Sequence, residues 1–139
     1  MSKKILYVGL IGKTNAGKST LINSIIGKKI SIENKKINTT LEIITGIKNI
    51  KDTQIVFFDT PGLNVLNSTN IFNKKLKVET LETINKADII LYIIDIKKYN
   101  YNTIINDLEK INKANKPVTI VFNKIDLINN NIILSYIND

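Results

Sequence analysis

Cysteine, histidine and arginine are all missing from this 139-residue sequence. The first absence removes disulfides, thiolate metal sites and cysteine nucleophiles together. The second removes any imidazole that would serve as general base or metal ligand. The third means that all 20 basic residues are lysine, so there is no bidentate guanidinium fork to grip a phosphate or a base edge. Long apolar runs are missing too. The longest, such as A-D-I-I-L-Y-I-I-D, are far shorter than a bilayer span and carry acids. Nor does the opening M-S-K-K lead into the apolar segment and small-residue cleavage site of a secretory signal, so a cytoplasmic location is expected.

What is present is enough apolar residue, 43%, to bury the core of one globular domain. The net charge of +8 would draw the chain to nucleic acid or to an acidic membrane surface, where a peripheral contact is the expectation. The lysines are dispersed, however, and Lys, Asn and Ile are over-used together, as A+T-rich codons produce. That pattern reads as composition rather than as a binding patch.

Apolar runs alternate with amphipathic ones. Residues 4–11 read as a buried strand, and 18–27 as a helix with Leu21, Ile22, Ile25 and Ile26 on one face, ended by Gly27. Residues 28–39 are polar and irregular. Two β-rich runs, 41–50 and 54–59, flank K-D-T-Q as a hairpin. A polar loop at 63–70 precedes a helical pattern over 71–86, a strand at 88–96 that is apolar on both faces, a helix over 102–114 and a strand at 117–122. A further helix starts after that. The order predicts an α/β fold, a mostly parallel sheet with one antiparallel strand and helices on both faces. In such sheets ligands sit beyond the carboxyl ends of the strands.

Three short strings stand at those ends. G-K-T-N-A-G-K-S, from Gly12 to Ser19, has the spacing of a phosphate-binding loop, the P-loop. Gly12 and Gly17 let the backbone wrap so that successive N–H groups face phosphate oxygens. Lys18 reaches the β- and γ-phosphates, the Ser19 hydroxyl ligates Mg²⁺, and the helix start adds its positive end. The whole run Gly12, Lys13, Thr14, Asn15, Ala16, Gly17, Lys18, Ser19 and Thr20 is expected to line the nucleotide. D-T-P-G follows I-V-F-F. Asp59 would hold a Mg²⁺-bound water and the Gly62 amide would contact the γ-phosphate and move when it leaves, with Thr60, Pro61 and Leu63 alongside. N-K-I-D ends the last strand. The Asp126 carboxylate can accept from guanine N1–H and its exocyclic amine, a pairing adenine cannot offer, while Asn123 and the Lys124 stem flank the base. Ahead of residue 41, Thr40 of N-T-T would close over the nucleotide, giving its hydroxyl to Mg²⁺ and its amide to the γ-phosphate. The expected catalytic set is Lys18, Thr40 and Gly62. The ligands are GTP or GDP and Mg²⁺.

Taken with K-I-S-I, N-T-T, I-T-G-I and K-D-T-Q-I-V-F-F-D-T-P-G-L, these strings make the chain resemble the Era family of the Era/TrmE group of GTPases. The resemblance runs from residue 5 to about 128. It implies a P-loop NTPase fold of the Ras-like G-domain kind, and a GTP/GDP switch in assembly of the small (30S) ribosomal subunit, with 16S ribosomal RNA as partner. It implies that Asn15 coordinates K⁺, a further ligand, beside the phosphates and so joins the catalytic set. Leu63 stands where many GTPases carry a water-orienting glutamine, so hydrolysis would rest on the cations and backbone and be slow. Leu41 follows Thr40 where arginine is usual. The family's fifth guanine-nucleotide box, last strand, last helix and RNA-gripping KH domain are not found within the 139 residues, so the reading is of a single G domain over 1–139, incomplete at its C-terminus. The alternatives are a GTP-binding relic or fragment without catalysis, or a sister GTPase of the same group. Oligomeric state stays open.

Overall fold

The structure is a computed structural model and describes residues 4–27, 44–60 and 70–139. Strand β1, Lys4–Gly12, is exposed where it begins and buried from Val8 onward. Its second half alternates Val8 and Leu10 toward one face with Gly9 and Ile11 toward the other, so both faces need a helical cover. Helix α1, Lys18–Ile26, supplies one cover. It stops at Gly27, whose φ of 74° is left-handed and whose N–H returns to the Asn23 carbonyl. Strands β2, Ile44–Ile50, and β3, Thr53–Asp59, pair antiparallel through a tight turn at Lys51 and Asp52. Thr53, expected in the turn, already belongs to β3. The expected 41–43 start of β2 and the 63–69 part of the loop lie outside the described residues.

Helix α2 spans Ile71–Lys86, as the periodicity predicts. Strand β4, Ile89–Asp95, is shorter than the apolar run that announced it. At one end Asp88 exchanges two bonds with Tyr7, its N–H to the Tyr7 carbonyl and its carboxylate to the Tyr7 N–H, each 2.8 Å. At the other, Ile96 enters a 3-10 turn, Ile96–Lys98, capped by the Asp95 side chain. Helix α3, Tyr101–Asn112, starts where Asn100 accepts from the Thr103 N–H. Strand β5, Val118–Asn123, and helix α4, Asn130–Asn138, complete the order.

The five strands of the described residues run β2-β3-β1-β4-β5, all parallel except β2. One core cluster lies on the α1 face around Leu10, Ile22, Phe57 and Ile93; a second, around Ile11, Ile84, Ile90, Ile104 and Ile111, lies under α2 and α3. Ile22 is wholly buried while Asn23 and Ser24 are exposed, and each such isoleucine contributes about 1.5–3 kcal/mol. That asymmetry orients α1. The chain leaves β1 toward β3 on one side and later returns to β4 on the other, so the strand order reverses beside β1. The carboxyl ends of β1, β3, β4 and β5 therefore converge, carrying Gly12, Asp59, Asp95 and Asn123. Strand β5 lies at the sheet edge, with Ile120 exposed, and α4 leaves Ile132, Leu134 and Ile137 exposed. Among the described residues no helix is long and apolar enough to cross a membrane.

Candidate functional site

The loop from Gly12 to Lys18 is built by close approach and unusual dihedrals. A Cβ on Gly12 would stand 2.5 Å from the Ile93 carbonyl oxygen of β4, so only glycine lets the two backbones meet there. Asn15 and Gly17 take φ values of 64° and 97°, and the Ala16 N–H closes the turn on the Lys13 carbonyl at 3.1 Å. Gly17 caps α1 without any side-chain bond, and no acid sits in the helix's first turn, which leaves its first amides available to an anion. A cavity of about 310 Å³ opens there, lined by Asn15, Gly17, Lys18, Ser19, Thr20 and Lys124. A smaller one of about 30 Å³, bordered by Thr14, Ile94 and Thr103, is room for a water rather than a nucleotide.

Lys18 is buried, and its Nζ donates to the Gly12 and Lys13 carbonyls at 3.3 and 3.4 Å. Burial pushes its pKa down, with the Asp59 carboxylate opposing. Asp59, at the end of β3, accepts from the Ser19 hydroxyl at 3.4 Å. Burial raises its pKa above the ordinary 3.8, against the pull of Lys18, the Thr60 N–H and Ser19. A hydroxyl and a carboxylate brought together beside a phosphate-sized cavity are the oxygen donors that Mg²⁺ takes, with the remainder left to phosphates and water. No cluster of three or more acidic side chains that would form an all-protein metal site exists among the described residues. The Asp59 carboxylate must be ionised to act there. Because its pKa is raised, its protonated form appears at higher pH than for an ordinary carboxyl. The tightening of nucleotide binding by Mg²⁺ is therefore expected to weaken on acidification already above pH 3.8. Titrating Mg²⁺ against a fluorescent nucleotide from pH 7 downward, for the protein and its Asp59→Asn variant, checks this; the same pH dependence in both contradicts it.

The other expected residues divide. Thr60 is buried and donates its hydroxyl to the Leu10 carbonyl at 2.9 Å, which anchors the second string to β1 rather than reaching outward. Thr40, Pro61, Gly62 and Leu63 lie outside the described residues. Asn123 donates its side-chain amide to the Ala16 carbonyl at 2.9 Å, and a Cβ on Gly17 would come within 2.2 Å of that nitrogen. Lys124, at φ 62°, donates to the Asn15 carbonyl at 2.7 Å and to Asp95 at 2.8 Å. Asp126 is exposed in the 3-10 turn Ile125–Leu127, two positions beyond Lys124.

Asp95 is the residue that sequence reasoning missed. Its signal was available: a lone acid closing the apolar Y-I-I-D, at the same carboxyl edge as the three strings. Lys124's hydrogen bond holds its carboxyl below the usual carboxylate range despite burial.

Residues 7–124 match the family described as 50S ribosome-binding GTPase. The chain is 44% identical over 128 residues to the GTPase Era of Buchnera aphidicola, covering 92% of this chain and 44% of that protein. Against the GTPase Era of Rickettsia conorii the figures are 38% over 126 residues, 91% and 37%. Among solved structures it is similar to an Aquifex aeolicus Era variant bound to GDP·AlF4−, with TM-score 0.77 and 34% identity, over 97% of this chain and 46% of that one. It is likewise similar to Era in complex with MgGDPNP and nucleotides 1506–1542 of 16S ribosomal RNA, with TM-score 0.78 and 36% identity over the same shares. The chain thus spans less than half the length of the relatives it matches.

Proposed function

This chain belongs to the family of 50S ribosome-binding GTPases, and from that premise we propose that it binds GTP with Mg²⁺ and hydrolyses it to GDP and phosphate, as an Era-like switch in the cytoplasm. The observation that carries the reading is the meeting of three distant strings at one sheet edge. Asn123 and Lys124 bond to the carbonyls of Ala16 and Asn15, so the string that would read the base rests directly on the loop that would hold the phosphates.

In this mechanism the amides of Gly12 to Ser19 surround the β- and γ-phosphates, and Lys18 exchanges two long bonds to carbonyls for phosphate oxygens. The Ser19 hydroxyl would hold the magnesium ion directly and Asp59 would hold it through a bound water, with the Thr40 hydroxyl as a further ligand. When bound, Mg²⁺ neutralises charge building up on the phosphate oxygens. Asn15 lines the same cavity, where its side chain would hold K⁺. The Gly62 amide senses the γ-phosphate, and Leu63 cannot orient water, so turnover is slow.

The family description names the large ribosomal subunit, whereas the Era structure holds RNA of the small one. The identity to Era proteins over nine-tenths of this chain favours the small subunit and 16S ribosomal RNA as the partner. Purified protein is expected to bind GTP over ATP in Mg²⁺ and to release phosphate faster in K⁺ than in Na⁺. Equal affinity for both nucleotides would remove guanine recognition, and indifference to the cation would remove the role of Asn15. Tight GTP binding with no phosphate released would leave a binding protein rather than an enzyme.

A further inference from the structure

Asp95 lies outside the three strings, yet it joins two of them. It is the last residue of β4, and its Oδ2 stands 2.8 Å from Lys124 Nζ. Its other oxygen accepts from the Lys97 N–H at 3.0 Å, so the carboxylate is fixed at both ends and cannot swing. The Lys124 ammonium, held there, makes its second bond to the Asn15 carbonyl at 2.7 Å. Pinning a lysine stem costs rotamer entropy that a single exposed carbonyl bond does not recover. The carboxylate supplies the rest.

We propose, resting on the nucleotide-binding reading above, that Asp95 is a positioning residue for guanine-nucleotide recognition: by holding Lys124 on the Asn15 carbonyl it ties the base-reading string to the phosphate loop. The two strings are otherwise tied by Asn123 on Ala16. Without Asp95, the neighbouring peptide at Asn15, in its left-handed conformation, loses the ammonium that holds it.

Electrostatics alone predicts the opposite outcome, which makes the proposal testable. Removing a negative charge beside a polyanion site should tighten binding of every phosphate ligand. Positioning requires guanine nucleotides to bind more weakly while a ligand without a base does not. Asp95→Asn suits the experiment, because asparagine keeps the shape and can still cap the Ile96–Lys98 turn. GDP and inorganic triphosphate affinities are measured by calorimetry, and hydrogen exchange of residues 13–17 is followed without nucleotide. The expected results are GDP binding weakened about fivefold, the scale of one partly screened ion pair, triphosphate binding unchanged or tighter, and faster exchange in the loop.

GDP binding that is unchanged, or tightened in step with triphosphate, overturns the proposal. So does an Asp95→Asn effect that is fully retained in a Lys124→Ala background. If the unsubstituted protein fails to bind GDP, the functional reading fails. The recognition role falls with it, and the exchange experiment then decides only the tie itself: faster loop exchange upholds Asp95's hold on the loop through Lys124, and unchanged exchange overturns that too. Should Asp95→Asn not fold, Asp95→Ser keeps a capping oxygen for the Ile96–Lys98 turn, is too short to hold Lys124, and gives the same exchange readout.

Discussion

Replacing Lys18 with alanine is expected to weaken nucleotide binding on the order of 30-fold or more while leaving the fold at least as stable. The two halves of this expectation have one cause. The Lys18 ammonium is buried, and its pKa is lowered because the site strips it of water. Its hydrogen bonds, at 3.3 and 3.4 Å to carbonyls, are long for a charged donor. The free protein therefore carries a charge that it solvates poorly, and polyphosphate oxygens would solvate it better. Since the folded pKa lies below the ordinary 10.5, the charged lysine costs stability at neutral pH, and alanine removes that cost. Removing one partner of a buried charged pair typically costs about 2–5 kcal/mol of binding, a weakening on the order of 30- to several-thousand-fold. Calorimetry with GTP alongside a thermal melt separates the two effects. Binding within about threefold of the unsubstituted protein would mean that the cavity beside Lys18 is not where the phosphates sit.

Asp126→Ala is expected to collapse discrimination between guanine and adenine nucleotides rather than to abolish binding. The Asp126 carboxylate is exposed and bonds to none of the described residues, so the fold loses nothing when it goes. Its partners would be guanine N1–H and the exocyclic amine, where adenine offers an unprotonated nitrogen and no amine. Sites that recognise a ligand by paired hydrogen bonds discriminate far more strongly than apolar pockets do. Losing two bonds to a charged acceptor should cost GTP about 3–4 kcal/mol, a few hundred-fold, and leave ATP nearly unchanged. Competition between the two nucleotides for the variant measures this. Equal losses for both would mean that Asp126 holds the loop rather than reads the base.

Lys18 and Asp126 were both legible as types at positions. Lys18 sits in a fixed spacing that few other chemistries need, and Asp126 follows a strand. Its carboxylate bonds to none of the described residues, so no partner within the fold had to be read. Asn123 and Lys124 differ. They read as base-flanking residues, yet their side-chain nitrogens bond to the carbonyls of Ala16 and Asn15, residues 107 and 109 positions away in the chain. Thr60 likewise read as part of a phosphate-facing turn, and it turns inward to Leu10. Each of these is a contact between strand ends brought together by the sheet order, and no local period encodes it.

By itself the sequence determined the element types, the two-faced burial of β1 and β4, and the three strings at strand ends. Burial periodicity and backbone-dictated glycines are local properties, so they are written residue by residue. Only the tertiary structure decided which carbonyl each polar side chain would serve, and that an acid closing β4 would hold the lysine from the loop after β5. Partnership of that kind depends on which strands lie side by side, and adjacency is a property of the folded sheet.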